Sequence, residues 1–164
     1  MQKAIDWVKP LQLLSPEGDW RVYKPQVSPG GWSFEYFNTW YPDVGDTACV
    51  VMYLIKHDPA FIGSLSIYRA AEWILRVQNP DGGWAAFDYN NDKMVLNKIP
   101  FSDMNVLCDP STADVTGRSV ECFGLLLSSP HRNIVDGGLL ERLIVSAMRG
   151  IAYLKLQQES FSAW

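Results

Sequence analysis

The chain of 164 residues is long enough for one domain with a real core, or for part of a larger one. Hydrophobic residues at 48% against 20% charged exclude a disordered chain, and a net charge of -4 with Lys and Arg scattered singly excludes a nucleic-acid binder, which would show a basic stripe. The unusual feature is an aromatic load of 13% that includes 7 Trp, which predicts ring-lined surfaces or a repeat that reuses Trp.

The hydrophobic patterning predicts an all-α chain. A helix over about 2–12 comes first and runs from Lys3 through Trp7 to Gln12. An irregular aromatic segment follows over 13–42. Only Trp20-Arg21-Val22-Tyr23 and Trp32-Ser33-Phe34-Glu35-Tyr36 have strand character there. The stretch Tyr41-Pro42-Asp43-Val44-Gly45-Asp46-Thr47-Ala48 then opens a helix over about 46–56, with Asp46 as the expected N-cap. That helix is apolar almost all round, so it is expected to be buried with its acidic start pointing into an interior or a cavity. Helices over about 65–78, 114–127 and 138–158 complete the set. They are separated by a loop with Asp58-Pro59, a long loop over 79–112 and a loop with Pro130. Loops as long as 79–112 are usually functional or disordered.

Cys49, Cys108 and Cys122 lack metal-ligand spacing and read as reduced core thiols of a cytosolic-type compartment. His57 and His131 are isolated, so no metal site is expected. No stretch reads as a secretion signal or is long enough to span a bilayer.

Three segments share one pattern. Lys3, Trp7 and Gln12 lead to Gly18-Asp19-Trp20; Arg69, Trp73 and Gln78 lead to Gly82-Gly83-Trp84; Arg149, Tyr153 and Gln158 lead to Ser162-Ala163-Trp164. A base and an aromatic four residues apart share a helix face. A Gln at the helix end can satisfy orphan backbone groups of a neighbouring helix, Gly permits a tight turn, and Trp can lie against the Gln. Each interval has room for a second helix, so the expected architecture is a layered α/α barrel or toroid. The last unit breaks off in mid-pattern, and the chain reads as a piece of something longer.

Asp43 and Asp46 sit beside Trp32, Phe34, Tyr36, Phe37, Trp40 and Tyr41. Carboxylates next to an aromatic wall suit the protonation of a hydrocarbon and the steadying of the resulting cation. The ordinary alternative is an acidic helix cap over an aromatic core cluster.

The repeat is similar to the Gln-Trp motif of the triterpene cyclases, and Pro42-Asp43-Val44-Gly45-Asp46-Thr47-Ala48 resembles the Asp-x-Asp-Asp-Thr-Ala acid motif of squalene–hopene cyclases. Gly30-Gly31-Trp32-Ser33-Phe34-Glu35-Tyr36 looks like their aromatic lead-in. Gln78-Asn79-Pro80-Asp81-Gly82-Gly83-Trp84-Ala85-Ala86-Phe87-Asp88 matches a central repeat. Asp109-Pro110-Ser111-Thr112-Ala113-Asp114-Val115-Thr116-Gly117-Arg118 resembles the segment behind the acid. The likeness covers the whole chain and corresponds to the middle portion of such an enzyme, around the acid motif.

The resemblance implies an isomerase of the terpene cyclase/mutase class that makes pentacyclic triterpenes from squalene without organic or metal cofactor, as in hopanoid biosynthesis. It implies α/α barrels around an apolar cavity, monotopic association of the full-length intracellular protein with the membrane that supplies squalene, and a homodimer as a further possible partner state. Residue by residue, Asp43 and Asp46 match the first and last Asp of the acid motif, Asp114 and Arg118 the pair that tunes the acid, and Asp109 a further active-site carboxylate. Phe34 and Phe87 match cation-stabilising positions, with Trp32 and Tyr41 expected beside them. Gln12, Trp20, Gln78, Trp84, Gln158 and Trp164 match structural repeat positions. Asp114 also has an ordinary reading as N-cap of the 114–127 helix, with Arg118 as its i+4 partner.

One departure matters. Gly45 stands where the family has the Asp that donates the proton. Weak or absent protonation-initiated cyclisation is therefore expected, with Asp43 or Asp46 as the available substitutes. The alternatives are a non-catalytic cyclase relic that binds apolar ligands, or an oxidosqualene-type enzyme. The lack of a Cys/His/Asp ligand set counts against a prenyltransferase barrel, and the density of Gln-Trp units against a diterpene cyclase.

Overall fold

The computed structural model describes residues 2–35, 37–92 and 108–158, and among these the chain is mostly helical. Helix α1 (Gln2–Val8) passes into a 3-10 turn at Lys9–Leu11, because Pro10 has no N–H to continue the α ladder. The single turn α2 (Trp20–Tyr23) lies where extended chain was expected. Strand β1 (Trp32–Ser33) pairs antiparallel with β2 (Pro42–Asp43), Trp32 opposite Asp43 and Ser33 opposite Pro42. Then come α3 (Val44–His57), a 3-10 turn at Pro59–Gly63, α4 (Leu65–Arg76), α5 (Ala113–Ser128) and α6 (Gly137–Gln157).

Two helix starts differ from expectation. The N-cap of α3 is Asp43, not Asp46: its Oδ1 accepts the Asp46 N–H at 2.7 Å. Asp46 sits in the first turn, where its charge suits the helix dipole. The N-cap of α5 is Thr112, and Asp114 is likewise a first-turn residue. One thiol also departs from its expected place. Cys122 and Cys108 are buried, but Cys49 lies on the solvent side of α3.

The core runs between α3, α4, α5 and α6. Trp73, Trp84, Phe123, Ile67, Leu139 and Leu143 are buried there, and the Trp84 and Phe123 rings meet edge to face at 5.7 Å.

Two joints of this fold use the same bonds. Gln78 Nε2 donates to the carbonyls of Gly82 (2.8 Å) and Ser146 (3.0 Å), and its Oε1 accepts the Ser146 hydroxyl (2.8 Å). Gln12 Nε2 donates to the carbonyls of Gly30 (2.8 Å) and Ser66 (2.9 Å), and its Oε1 accepts the Ser66 hydroxyl (2.7 Å). The Trp84 indole N–H donates to Ile74 O and its backbone N–H to Thr116 Oγ1. The Trp32 indole donates to Val8 O and its backbone N–H to Thr47 Oγ1. The tryptophan that works with Gln12 is therefore Trp32. The expected pairing of Gln12 with Trp20 is corrected: Trp20 is buried in α2, away from this set of bonds. Of the third expected unit, Gln158 caps α6 through its backbone N–H on Leu154 O, and Trp164 lies outside the described residues.

Glycine is required at each joint. Gly82 has φ +94°, and a Cβ there would lie 2.8 Å from Arg149 O; a Cβ on Gly30 would lie 2.4 Å from Arg69 O. Gln78→Leu removes four hydrogen bonds of a buried amide, the three above and one from Arg149 Nη1, and leaves the Ser146 hydroxyl without an acceptor. The expected cost is about 2–4 kcal/mol, read as a fall in the urea midpoint at unchanged slope. Gln12→Leu, at a half-buried joint, is expected to cost less. Equal costs would show that burial of the amide is not what sets its worth.

Candidate active site

The two-residue β1–β2 pairing brings the aromatic segment onto the start of α3. The Thr47 hydroxyl donates to Asp43 O (2.6 Å) while accepting the Trp32 N–H (2.8 Å), which pins β1, β2 and α3 together. The Val44 N–H donates to Ala86 O at 2.8 Å, which ties the same point to the segment after Trp84. That segment is clamped by Asp109, whose carboxylate accepts the backbone N–H groups of Ala86 (3.3 Å), Phe87 (2.6 Å) and Asp88 (2.8 Å). Asp109 thus acts on the site by holding Phe87 in place. Neither the Val44–Ala86 bond nor this clamp has a signature in residue types, because both run through the main chain.

Phe34, Tyr41 and Phe87, drawn from three separate parts of the sequence, line one cleft of ≈ 230 Å³ together with Glu35 and Asn38. Their rings remain accessible, 69% for Phe34. Trp32 is not among them. It is 3% exposed and faces the joint with Val8, so its ring is a packing element.

Asp43 is half-buried, and burial pushes its carboxyl up to about 6, against the smaller opposing pull of the Asp46 and Gly45 N–H groups and Arg118. The Asp46 charge adds to the rise. Asp114 is held below the usual carboxylate range, first by the adjacent Thr112 hydroxyl, which lies close without a well-aligned bond, then by the Val115 N–H and Arg118. A side chain at position 45 would start 3.2 Å from Asp43 Oδ1 and 3.3 Å from Arg118 Nη1. Position 45 therefore faces the carboxyl and the guanidinium together. The bridges Trp32–Asp43 and Trp84–Thr112 set the two helix starts in register, so Asp114 is the counterpart of Gly45 in α5.

The raised Asp43 makes stability depend on pH. An acid whose folded value lies above its unfolded 3.8 binds its proton more tightly in the native state. Its contribution to stability is therefore greatest below about 4, falls as pH rises towards about 6, and is flat above. After discounting for solvent screening, the loss is about 1–2 kcal/mol. Asp43→Asn keeps a capping acceptor and should flatten the melting profile between these limits; an unchanged slope would place the titration elsewhere.

The Asp43 carboxyl, with Arg118 on the far side of Gly45, lies two residues on from Tyr41 of the aromatic cleft. Sequence comparison gives the family. Residues 1–164 match the squalene-hopene cyclase C-terminal domain family. The chain belongs to that family. It is 58% identical to a terpene cyclase-glycosyl transferase fusion protein of Humicola fuscoatra, over 98% of this chain and 12% of that protein. It is 47% identical to a squalene hopane cyclase of Aspergillus fumigatus (98% and 24%) and 41% identical to a squalene-hopene cyclase of Bradyrhizobium diazoefficiens (98% and 23%). The chain spans about a quarter or less of the length of these curated relatives.

Proposed function

We infer that the chain is one wall of the cyclisation cavity of a longer squalene-hopene-type cyclase, with Asp43 supplying the initiating proton in place of a residue at 45. The observation that carries this is the Asp43 carboxyl, raised to about 6 by burial and only two residues on from Tyr41 of the Phe34–Tyr41–Phe87 cleft. An alkene is a very weak base, so its acid must hold a proton in a partly dry site and lose it to a position prepared for negative charge. Asp43 would transfer its proton to the terminal alkene of squalene or a related polyprenoid, leaving a tertiary cation. The resulting carboxylate is met by the Asp46 and Gly45 N–H groups and by Arg118. The ring faces of Phe34, Tyr41 and Phe87 would steady the cations as rings close, where a nucleophile would quench them. On this reading Asp46 and Asp114 supply field rather than protons, and the reaction makes pentacyclic triterpenes of the hopanoid kind without a cofactor.

The rest of the α/α barrel belongs to this proposal, as does a monotopic seat on the membrane holding the substrate. No helix among the described residues is long and apolar enough to cross a bilayer. A homodimer of the longer protein is part of the same family-based reading.

Gly45 favours a second reading, in which the chain only binds apolar ligands. Squalene turnover by the full-length protein carrying this segment separates the two. Asp43→Asn is expected to lower triterpene formation by about 10²-fold or more while leaving the fold intact. An unchanged rate excludes Asp43 as the donor, and no product from the parent protein favours the binding role.

A further inference from the structure

Arg69 on α4 and Arg149 on α6 hold matching places, each with its own carbonyl against the glycine of a joint. The Arg149 guanidinium has three acceptors: it donates to Gln78 Oε1 (3.3 Å), Asn79 O (3.0 Å) and Pro80 O (3.1 Å). Among the described residues nothing accepts a hydrogen bond from the Arg69 guanidinium. The cause is visible in the connections. Gln78 and Gly82 are 4 residues apart, and the tight turn offers its carbonyls to Arg149; Gln12 and Gly30 are 18 apart, and the chain departs near Leu14 and returns through Gln26.

A half-open cleft of ≈ 630 Å³ lies between this longer connection and α4, and it shares no residue with the aromatic cleft. Its charges do not balance. Arg142 is bonded through two nitrogens to Glu72, with Nη1–Oε2 at 2.9 Å, and Arg76 Nε lies 3.5 Å from the same carboxylate. Three guanidinium groups with one carboxylate leave two positive charges uncompensated in a concave site, which concentrates their field. Guanidinium forks match phosphate oxygens, and a dianion matches the excess. The volume suits a small organic ligand rather than a lone ion. The remaining lining from Leu14, Val27, Pro29 and Leu65 is apolar.

We propose that this cleft binds a phosphate monoester with a short apolar body, its phosphate between Arg69 and Arg76 and its body along Leu14, Val27 and Leu65. The same headgroup chemistry could come from a soluble ester or from a lipid, and the test separates them. The full-length protein is titrated calorimetrically with inorganic phosphate and with octyl phosphate, and floated with phosphatidylcholine vesicles with and without phosphatidic acid. Octyl phosphate should bind more tightly than inorganic phosphate. Arg69→Gln should weaken it about 10- to 100-fold with little change in the melting temperature, because it keeps the stem that packs at the joint and removes a guanidinium with no acceptor among the described residues. Glu72→Gln should tighten binding by releasing Arg76 and Arg142. Flotation that needs phosphatidic acid and is lost in Arg69→Gln makes a lipid headgroup the source; binding of octyl phosphate without flotation makes it a soluble ester. Equal affinity for inorganic phosphate overturns the apolar body. No binding of any probe, or binding indifferent to Arg69→Gln, overturns the site.

Discussion

Replacing Gly45 with aspartate in the full-length protein is expected to raise squalene cyclisation by about 10²–10⁴-fold, the usual worth of a positioned general acid. The geometry favours this. A side chain at 45 begins within 3.2 Å of Asp43 Oδ1 and 3.3 Å of Arg118 Nη1, so the introduced carboxyl and Asp43 would form a close pair with a cation beside it. Two carboxyls at that range resist double ionisation and hold one proton between them, while the guanidinium keeps that proton acidic. Both contacts are tight, but they are to side-chain ends on Asp43 and Arg118 that can shift by the few tenths of an ångström required. The readouts are triterpene yield from squalene and the pH at which it half-saturates. No increase in a variant that melts like its parent would mean that the missing acid is not what limits the site.

The largest effect on stability is expected at Trp84. The side chain is 0% exposed, donates its indole N–H to Ile74 O at 2.8 Å, meets Phe123 edge to face, and fills the space over Gly150. Trp84→Ala loses the ring's burial, leaves a cavity and strands a carbonyl, for about 3–5 kcal/mol. That is a large part of the total stability of any domain. Phe37→Ala, at a ring 93% exposed, is expected to change stability by under about 0.5 kcal/mol. Urea denaturation of both variants gives the comparison, and a Trp84→Ala cost near 1 kcal/mol would mean that the core closes over the vacancy.

The helices were legible because their apolar residues recur with helical period and their ends carry clear stops. Their starts were less so. Asp43 and Asp46 both precede an apolar run, and either could cap it; the chain starts the helix at Asp43 because Thr47 fastens the Asp43 carbonyl and Trp32 at once. Two tryptophans follow Gln12 after a glycine, Trp20 and Trp32, and proximity in sequence favours the wrong one. Only the bonds to Val8 and Thr47 decide for Trp32, and they join residues far apart in the chain. The same tryptophan was expected to face substrate, since ring type alone does not reveal which side of a two-residue strand points inward. Of the four rings expected at cation-stabilising positions, Phe34, Tyr41 and Phe87 line one cleft. The Asp109 clamp that sets Phe87 was visible as a carboxylate but not as a clamp, because its partners are main-chain amides.

The two equivalent joints also say where this architecture can grow. One closes over a gap of 4 residues and the other over 18, yet both end in the same glutamine, glycine and tryptophan contacts. Lengthening a closed loop by that ratio costs only about 1 kcal/mol in chain entropy, because the penalty rises with the logarithm of length. The joint acts as a clasp that fixes the flanking helices whatever chain passes outside it. The exposed tip Pro80-Asp81 is therefore a port at which a binding loop or a small domain can be inserted with Asn79 left in place, and the segment from Leu14 to Pro29 shows the length such a connection can reach.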